Sequence, residues 1–224
     1  MNLYARHIPL LGKEGIKKLK NSSVLVAGIG GLGTVVADIL VRTGIGELHI
    51  VDYGEVDLPD LNRQILYYKD DLGKKKVYAA KQKLKWIRED VVIKTYTDYI
   101  DENFKLPERV RVIVDCLDSF KAKFAVDKIA VKYNIPLVHA GLNGFFGQIT
   151  TIVPGETPRL CEILYGMEKE NKKIIPVLGS VSTLLGAIQA LEVVKLLCGK
   201  GNTLKGKLLI VDLLDMSFET VELR

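Results

Sequence analysis

Cysteine is scarce in this chain: Cys116, Cys161 and Cys198 are the only three, and no two stand at a C-x-x-C spacing. That excludes a disulfide framework and points to a reducing compartment, so a cytoplasmic protein is expected. Charge of one sign is not in excess either. Lys and Arg number 32 against 27 Asp and Glu, net +5, with the lysines scattered. Nucleic-acid binding is therefore not implied, while an acidic protein partner is compatible. No signal core opens the chain, because Arg6, His7, Lys13 and Glu14 interrupt the first residues. The longest apolar run, Val181 to Cys198, carries Gln189, Glu192 and Lys195. It reads as a buried or interface helix rather than a membrane span. There is no internal repeat or low-complexity linker, and 48% hydrophobic residues argue against long disorder.

What the chain does have is the stretch Val24-Leu25-Val26-Ala27-Gly28-Ile29-Gly30-Gly31-Leu32-Gly33. An apolar run breaks into G-x-G-x-x-G and resumes as a helical pattern through Val35, Val36, Ile39 and Leu40. Gly28 permits the sharp turn, Gly30 lets backbone approach a phosphate, and Gly33 allows close strand–helix packing. The free N–H groups and dipole end of the helix would then face an anion. Leu48-His49-Ile50-Val51-Asp52 reads as the next strand. It ends in an acid about twenty residues beyond the glycines, where a ribose would be met. A nucleotide is the leading ligand class.

Taken in order, the chain alternates strands and helices. Strands are expected at Val91 to Tyr96, Val110 to Cys116 and Ile135 to Ala140, and helices from about Leu72 to Ile87 and Lys121 to Tyr133. Beyond Gln148 the pattern changes to strands Gln148 to Val153, Lys207 to Leu213 and Ser217 to Leu223. A polar loop, Pro154 to Pro176, and the apolar helix lie between them; the loop is expected to be mobile or partner-binding. The fold expected is α/β, a Rossmann-like, doubly wound and mainly parallel sheet with an antiparallel C-terminal extension. It forms one domain: an arm and helix (1–20), a nucleotide-binding part (21–147), and the crossover loop, apolar helix and antiparallel strands (148–224).

Ligands of open α/β sheets sit beyond the carboxyl ends of the strands. The glycine turn, Asp52 with the polar segment to Gln64, and Asp118 all fall there, and Arg63 and Lys76 add two cations. A hydride cofactor needs little of that. A triphosphate needs cation clamps and a carboxylate for magnesium, so ATP chemistry is favoured over redox.

Tyr4-Ala5-Arg6-His7-Ile8, the glycine turn, Asp52, Leu61-Asn62-Arg63-Gln64, Gly73 with Lys76-Val77, Asp115-Cys116-Leu117-Asp118, Gly147-Gln148-Ile149-Thr150 and Gln189-Ala190-Leu191-Glu192 follow one another in this order. In them the chain resembles the ThiF/MoeB family, relatives of ubiquitin-activating enzymes, over nearly its whole length. The resemblance implies an adenylyltransferase that uses ATP and Mg on the C-terminal glycine of a ubiquitin-like sulfur-carrier protein. It implies that Asp52 holds the ribose, Arg63 and Lys76 the phosphates, Asp118 the magnesium, and that Arg6 reaches the phosphates of a neighbouring subunit. The nucleotide site so implied comprises Gly28, Gly30, Gly31, Gly33, Asp52, Asp60, Asn62, Arg63, Gln64, Lys76, Asp118 and Ser119.

Two positions depart from the family. Asparagine is common where Asp60 and Ser119 stand, and an acid at Asp60 would repel phosphate unless it is paired or faces magnesium. Many relatives bind structural zinc through two C-x-x-C pairs; these are missing, so no zinc is expected. Cys116 and Cys198 read as core, leaving Cys161 as the candidate nucleophile. The competing readings are a tRNA threonylcarbamoyladenosine dehydratase-like enzyme, a nicotinamide-dependent oxidoreductase, and a catalytically silent binding module. Arg6 and the all-round apolar helix lead to a homodimer with composite sites.

Overall fold

The computed structural model describes residues 2–167 and 175–223. Helix α1 (Ile8–Lys20), kinked at Gly12, leads into β1 (Ser23–Ala27), α2 (Gly31–Thr43) and β2 (Glu47–Val51). There follow α3 (Lys76–Ile87), β3 (Val92–Tyr96), β4 (Val110–Asp115) and α4 (Phe120–Tyr133). The last third holds β5 (Leu137–Asn143), β6 (Phe146–Ile152), the single turn α5 (Leu160–Ile163), α6 (Gly179–Cys198), β7 (Lys207–Asp212) and β8 (Ser217–Glu222).

The strands form one sheet in the order β3-β2-β1-β4-β5-β6-β7-β8. The first five in that order are parallel, and β6, β7 and β8 continue antiparallel. This is the α/β architecture expected from the strand–helix alternation. β1 is buried throughout, which is why it reads as an unbroken apolar run rather than an alternating one. Apolar side chains of α1, α2, α3 and α6 pack on one face, and those of α4 and α5 on the other.

Several bounds differ from expectation for local reasons. α3 starts at Lys76 rather than near Leu72, because a 3-10 turn (Lys69–Asp71) and extended backbone at Lys75 precede it. β5 runs on to Asn143 because it pairs as a hairpin with β6, Asn143 opposite Phe146. The loop expected over 154–176 contains α5, and its residues 168–174 lie outside the described residues.

By length and composition α6 could cross a membrane, yet it packs as a core helix. Val181, Leu185, Ala190 and Val193 are buried on α2 and the sheet. Gly186 crosses α2 so closely that a Cβ there would lie 2.9 Å from Val35 Cβ. One stripe, Leu184, Ile188 and Leu191, stays partly open, with Leu191 55% exposed.

Candidate active site

The order β3-β2-β1-β4-β5 places the switch point between β1 and β4, where the connections leave to opposite faces. The turn after β1 and the loop after β4 meet there. Gly28 adopts φ 87°, and a Cβ on it would lie 2.6 Å from the Cys116 carbonyl oxygen of that second loop. A Cβ on Gly33 would lie 2.0 Å from the Gly28 carbonyl oxygen, so only glycine lets α2 start this close to the turn. Gly30 is different. Its nearest neighbour to such an atom is Gln64 Nε2 at 3.7 Å, so packing does not require glycine there. The open backbone at Gly30 is space a ligand could use.

Among the described residues no side chain caps the N-terminus of α2. The N-terminus of α6, also uncapped, lies beside it: Ser182 abuts Gly31, and Gly179 abuts Asn62 and Arg63. Two positive dipole ends therefore flank the turn. The sequence reading did not include α6 in the site; its small residues Gly179 and Ser182 were the available signal.

Asp52 braces the turn. Its Oδ2 accepts the Ile29 N–H at 2.8 Å and its Oδ1 the Gly54 N–H at 2.8 Å. Tyr67, buried and marked by no sequence motif, donates its hydroxyl to the Ile29 carbonyl at 2.8 Å and lies 3.2 Å from the Lys76 carbonyl. It joins the glycine turn to the start of α3. Burial, with Asp52 and Asp60 nearby, pushes its phenol up, so it remains a donor.

The two expected cations converge on one carboxylate. Lys76 Nζ stands 3.0 Å from Asp60 Oδ2, and Arg63 Nη2 is 3.5 Å from Asp60 Oδ1. Gln64 Nε2 donates to the same Oδ1 at 2.5 Å, and the Asp57 N–H to Oδ2 at 3.0 Å. Arg63 also donates Nη1 to the Pro59 carbonyl at 2.7 Å and to Asn62 Oδ1 at 3.1 Å. The acid at Asp60 is therefore paired, 7% exposed and held in the 3-10 turn Leu58–Asn62.

Asp118, on the loop after β4, is exposed and in no ion pair among the described residues. It stands near Tyr53, whose phenol is pushed up by burial and by Asp118 and Asp52. An exposed carboxylate near the glycine turn is the kind of ligand magnesium takes, one or two carboxylates with phosphate and water completing its shell. Ser119 has a structural duty as well, accepting the Ala122 N–H at 3.3 Å as the N-cap of α4.

Beneath this loop lies a buried network. Asp115 accepts from Lys123 Nζ at 3.1 Å and meets His139 Nδ1 at 2.6 Å, while its Oδ1 takes the Leu117 N–H at 3.0 Å. Burial would raise the Asp115 carboxyl, but Lys123 and His139 outweigh it and hold it below its ordinary value. Burial lowers His139, so the ring stays neutral despite the carboxylate. Leu117 is the residue before Asp118, so this network supports the loop that carries it.

The thiols are not activated. Burial, then Asp127, pushes Cys161 up, against its reading as a nucleophile, and burial also raises Cys116 and Cys198. Arg6 is exposed and pairs with no acid among the described residues. Tyr4, two residues before it, packs on Gly44, where a Cβ would lie 3.0 Å from the ring. Gly44 caps the far end of α2, which at 13 residues is about 20 Å long. Arg6 therefore stands away from the glycine turn.

The ThiF family profile matches residues 4–224. The SAMP-activating enzyme E1 of Haloferax volcanii is 34% identical over 234 residues, covering 100% of this chain and 86% of that one. The adenylyltransferase and sulfurtransferase MOCS3-1 of Drosophila pseudoobscura pseudoobscura is 32% identical over 230 residues; these are 99% of this chain and 51% of that protein. Among solved structures, E. coli MccB with MccA-N7isoASN superimposes with a TM-score of 0.90 at 25% identity, covering 100% of this chain and 72% of that one.

Proposed function

From the premise that this chain belongs to the ThiF family, we propose that it is an ATP-dependent adenylyltransferase acting on a small protein. Its substrate on this reading is a ubiquitin-like sulfur carrier ending in Gly-Gly. The observation that carries the reading is the convergence of Arg63 and Lys76 on Asp60 beside the glycine turn, where Gln64 neighbours Gly30 and Arg63 neighbours Gly31, with Asp118 exposed on the loop after β4 and in no ion pair among the described residues. Relatives named as an E1 enzyme and as an adenylyltransferase support it.

The carrier's terminal carboxylate oxygen attacks the α-phosphorus of ATP. The bond from that phosphorus to the bridging oxygen breaks, and pyrophosphate leaves with the electron pair. Both reactants are anions, so the protein's work is alignment and charge neutralisation. Arg63, Lys76 and the two helix N-termini face the phosphates, and Asp52, already fixed by Ile29 and Gly54, presents its remaining lone pairs to the ribose. Magnesium held by Asp118 would supply further neutralisation at the phosphates. No cysteine takes part in this step.

Exchange of labelled pyrophosphate into ATP tests the reaction. It should require both magnesium and a carrier with a free C-terminal glycine. Exchange without any carrier, or binding of NADH in place of ATP, would refute the reading.

The active unit proposed is a homodimer. Arg6 lies remote from its own site, and the stripe Leu184, Ile188, Leu191 offers an apolar face that a twofold contact would cover. Mixing Arg6→Ala with Lys76→Ala subunits should restore activity towards about half of wild type per mixed dimer, since one of its two sites is then intact. Subunit exchange without recovery would show that Arg6 does not complete a partner's site.

A further inference from the structure

We propose that Asp60 is a built-in counter-anion of the Arg63–Lys76 clamp, which favours magnesium-bound ATP over the metal-free nucleotide and speeds the departure of pyrophosphate. The inference rests on the reading that this clamp holds phosphates, and deepens it.

The geometry gives Asp60 no freedom to withdraw. Its Oδ2 holds the Asp57 N–H at 3.0 Å and Lys76 Nζ at 3.0 Å, and its Oδ1 holds Gln64 Nε2 at 2.5 Å. Its backbone is fixed in the 3-10 turn, and its side chain is only 10% exposed. The cations are the adaptable partners. Lys76 Nζ has three N–H donors, so it can keep Asp60 on one and offer the others to an incoming oxygen. Arg63 Nη2 reaches Asp60 at only 3.5 Å while Nη1 stays on the Pro59 carbonyl, so the weakly held Nη2 edge is the one to meet a closer acceptor.

A fixed carboxylate beside the clamp repels any arriving phosphate, and the repulsion grows with the ligand's charge. Metal-free ATP and free pyrophosphate carry the most charge and are disfavoured most. Magnesium-bound ATP carries less and pays less. After the reaction, Asp60 competes with pyrophosphate for Lys76 and Arg63, so the clamp closes again on its own acid. Magnesium ligation is the other duty open to a carboxylate here. Asp60 suits it poorly, because four donors already surround it, whereas Asp118 is exposed and pairs with no cation among the described residues.

The test is titration calorimetry of the full-length protein with inorganic pyrophosphate and with ATP, each in excess magnesium and in chelator. Asp60→Asn should bind metal-free pyrophosphate and metal-free ATP about tenfold tighter or more, with a smaller gain for magnesium ATP. Its turnover should fall as pyrophosphate release slows, seen as a burst of adenylate followed by a slow phase. Asp60→Glu, which keeps the charge, should retain the preference for the magnesium forms. Asp60→Ser is the second neutral variant if the asparagine protein does not fold. The wild-type protein must itself prefer the magnesium forms. Neutral variants that bind metal-free pyrophosphate no tighter, or a wild type without that preference, overturn the proposal. Lys76→Ala separates the two levels. If it weakens pyrophosphate binding while the neutral Asp60 variants leave it unchanged, the clamp reading stands and the counter-anion role falls. If it leaves pyrophosphate binding unchanged, the clamp reading itself falls.

Discussion

If the chain adenylates a carrier as proposed, Arg63→Ala and Lys76→Ala should each lower turnover by about a hundredfold or more, because each would remove a donor aimed at charge that develops on phosphate. Both are polar residues at the carboxyl ends of the sheet, so sequence alone leads to little change in stability for either. The structure separates them. Arg63 is 26% exposed and its closest acceptor is the Pro59 carbonyl, so its loss should leave the melting temperature nearly unchanged. Lys76 balances buried Asp60, which would retain Arg63, Gln64 and the Asp57 N–H but lose its nearest cation. Lys76→Ala should therefore also cost about 1.5 to 3 kcal/mol, the range for a hydrogen bond to a charged group. Initial rates of pyrophosphate release, set beside thermal melts, check both parts. Unchanged turnover per folded molecule, with a large drop in stability, would make these residues structural only.

The largest stability effect should come from the network under the Asp118 loop. Lys123→Ala leaves Asp115 ionised and buried with only His139 and the Leu117 N–H as partners among the described residues. Breaking a buried pair from one side costs about 3 to 5 kcal/mol. For a chain of this size that is roughly 6 to 20 °C in melting temperature. The same network ties stability to pH. His139 sits below its ordinary 6.5 in the folded chain and Asp115 below 3.8, so in both cases the unfolded chain takes up the proton first. Their stabilisation is complete above 6.5. It is lost as pH falls, first through His139 below 6.5 and then through Asp115 below 3.8. Melting temperature should thus decline between pH 7 and pH 5, and His139→Gln should flatten that decline. A wild-type melt independent of pH over this range would contradict the assignment of a neutral, buried His139.

The amino-acid order by itself determined the local units. The turn from β1 into α2 was legible because its glycines act on backbone within a few residues of themselves. The central strands β1 and β4 were legible because burial on both faces leaves nearly unbroken apolar runs. The antiparallel extension beyond Gln148 was legible as a change of pattern, although the start of α3 and the end of β5 were not, since an extended Lys75 and a hairpin partner set them. Arg63, Lys76 and Asp118 could be named as candidates because of their residue types and their places after strands. Only the tertiary structure decided which charges meet. Asp60 read as an acid out of place, and it proved to be the residue on which Lys76, Arg63 and Gln64 converge. Lys123, His139 and Asp115 lie on three different elements, and Tyr67 and Ser182 stand in segments whose pattern reports burial at most. The physical reason is one of range. Periodicity and glycine placement record how a segment meets solvent and its immediate neighbours, whereas a hydrogen bond between side chains of separate elements depends on sheet order, helix placement and rotamer, which no single segment encodes.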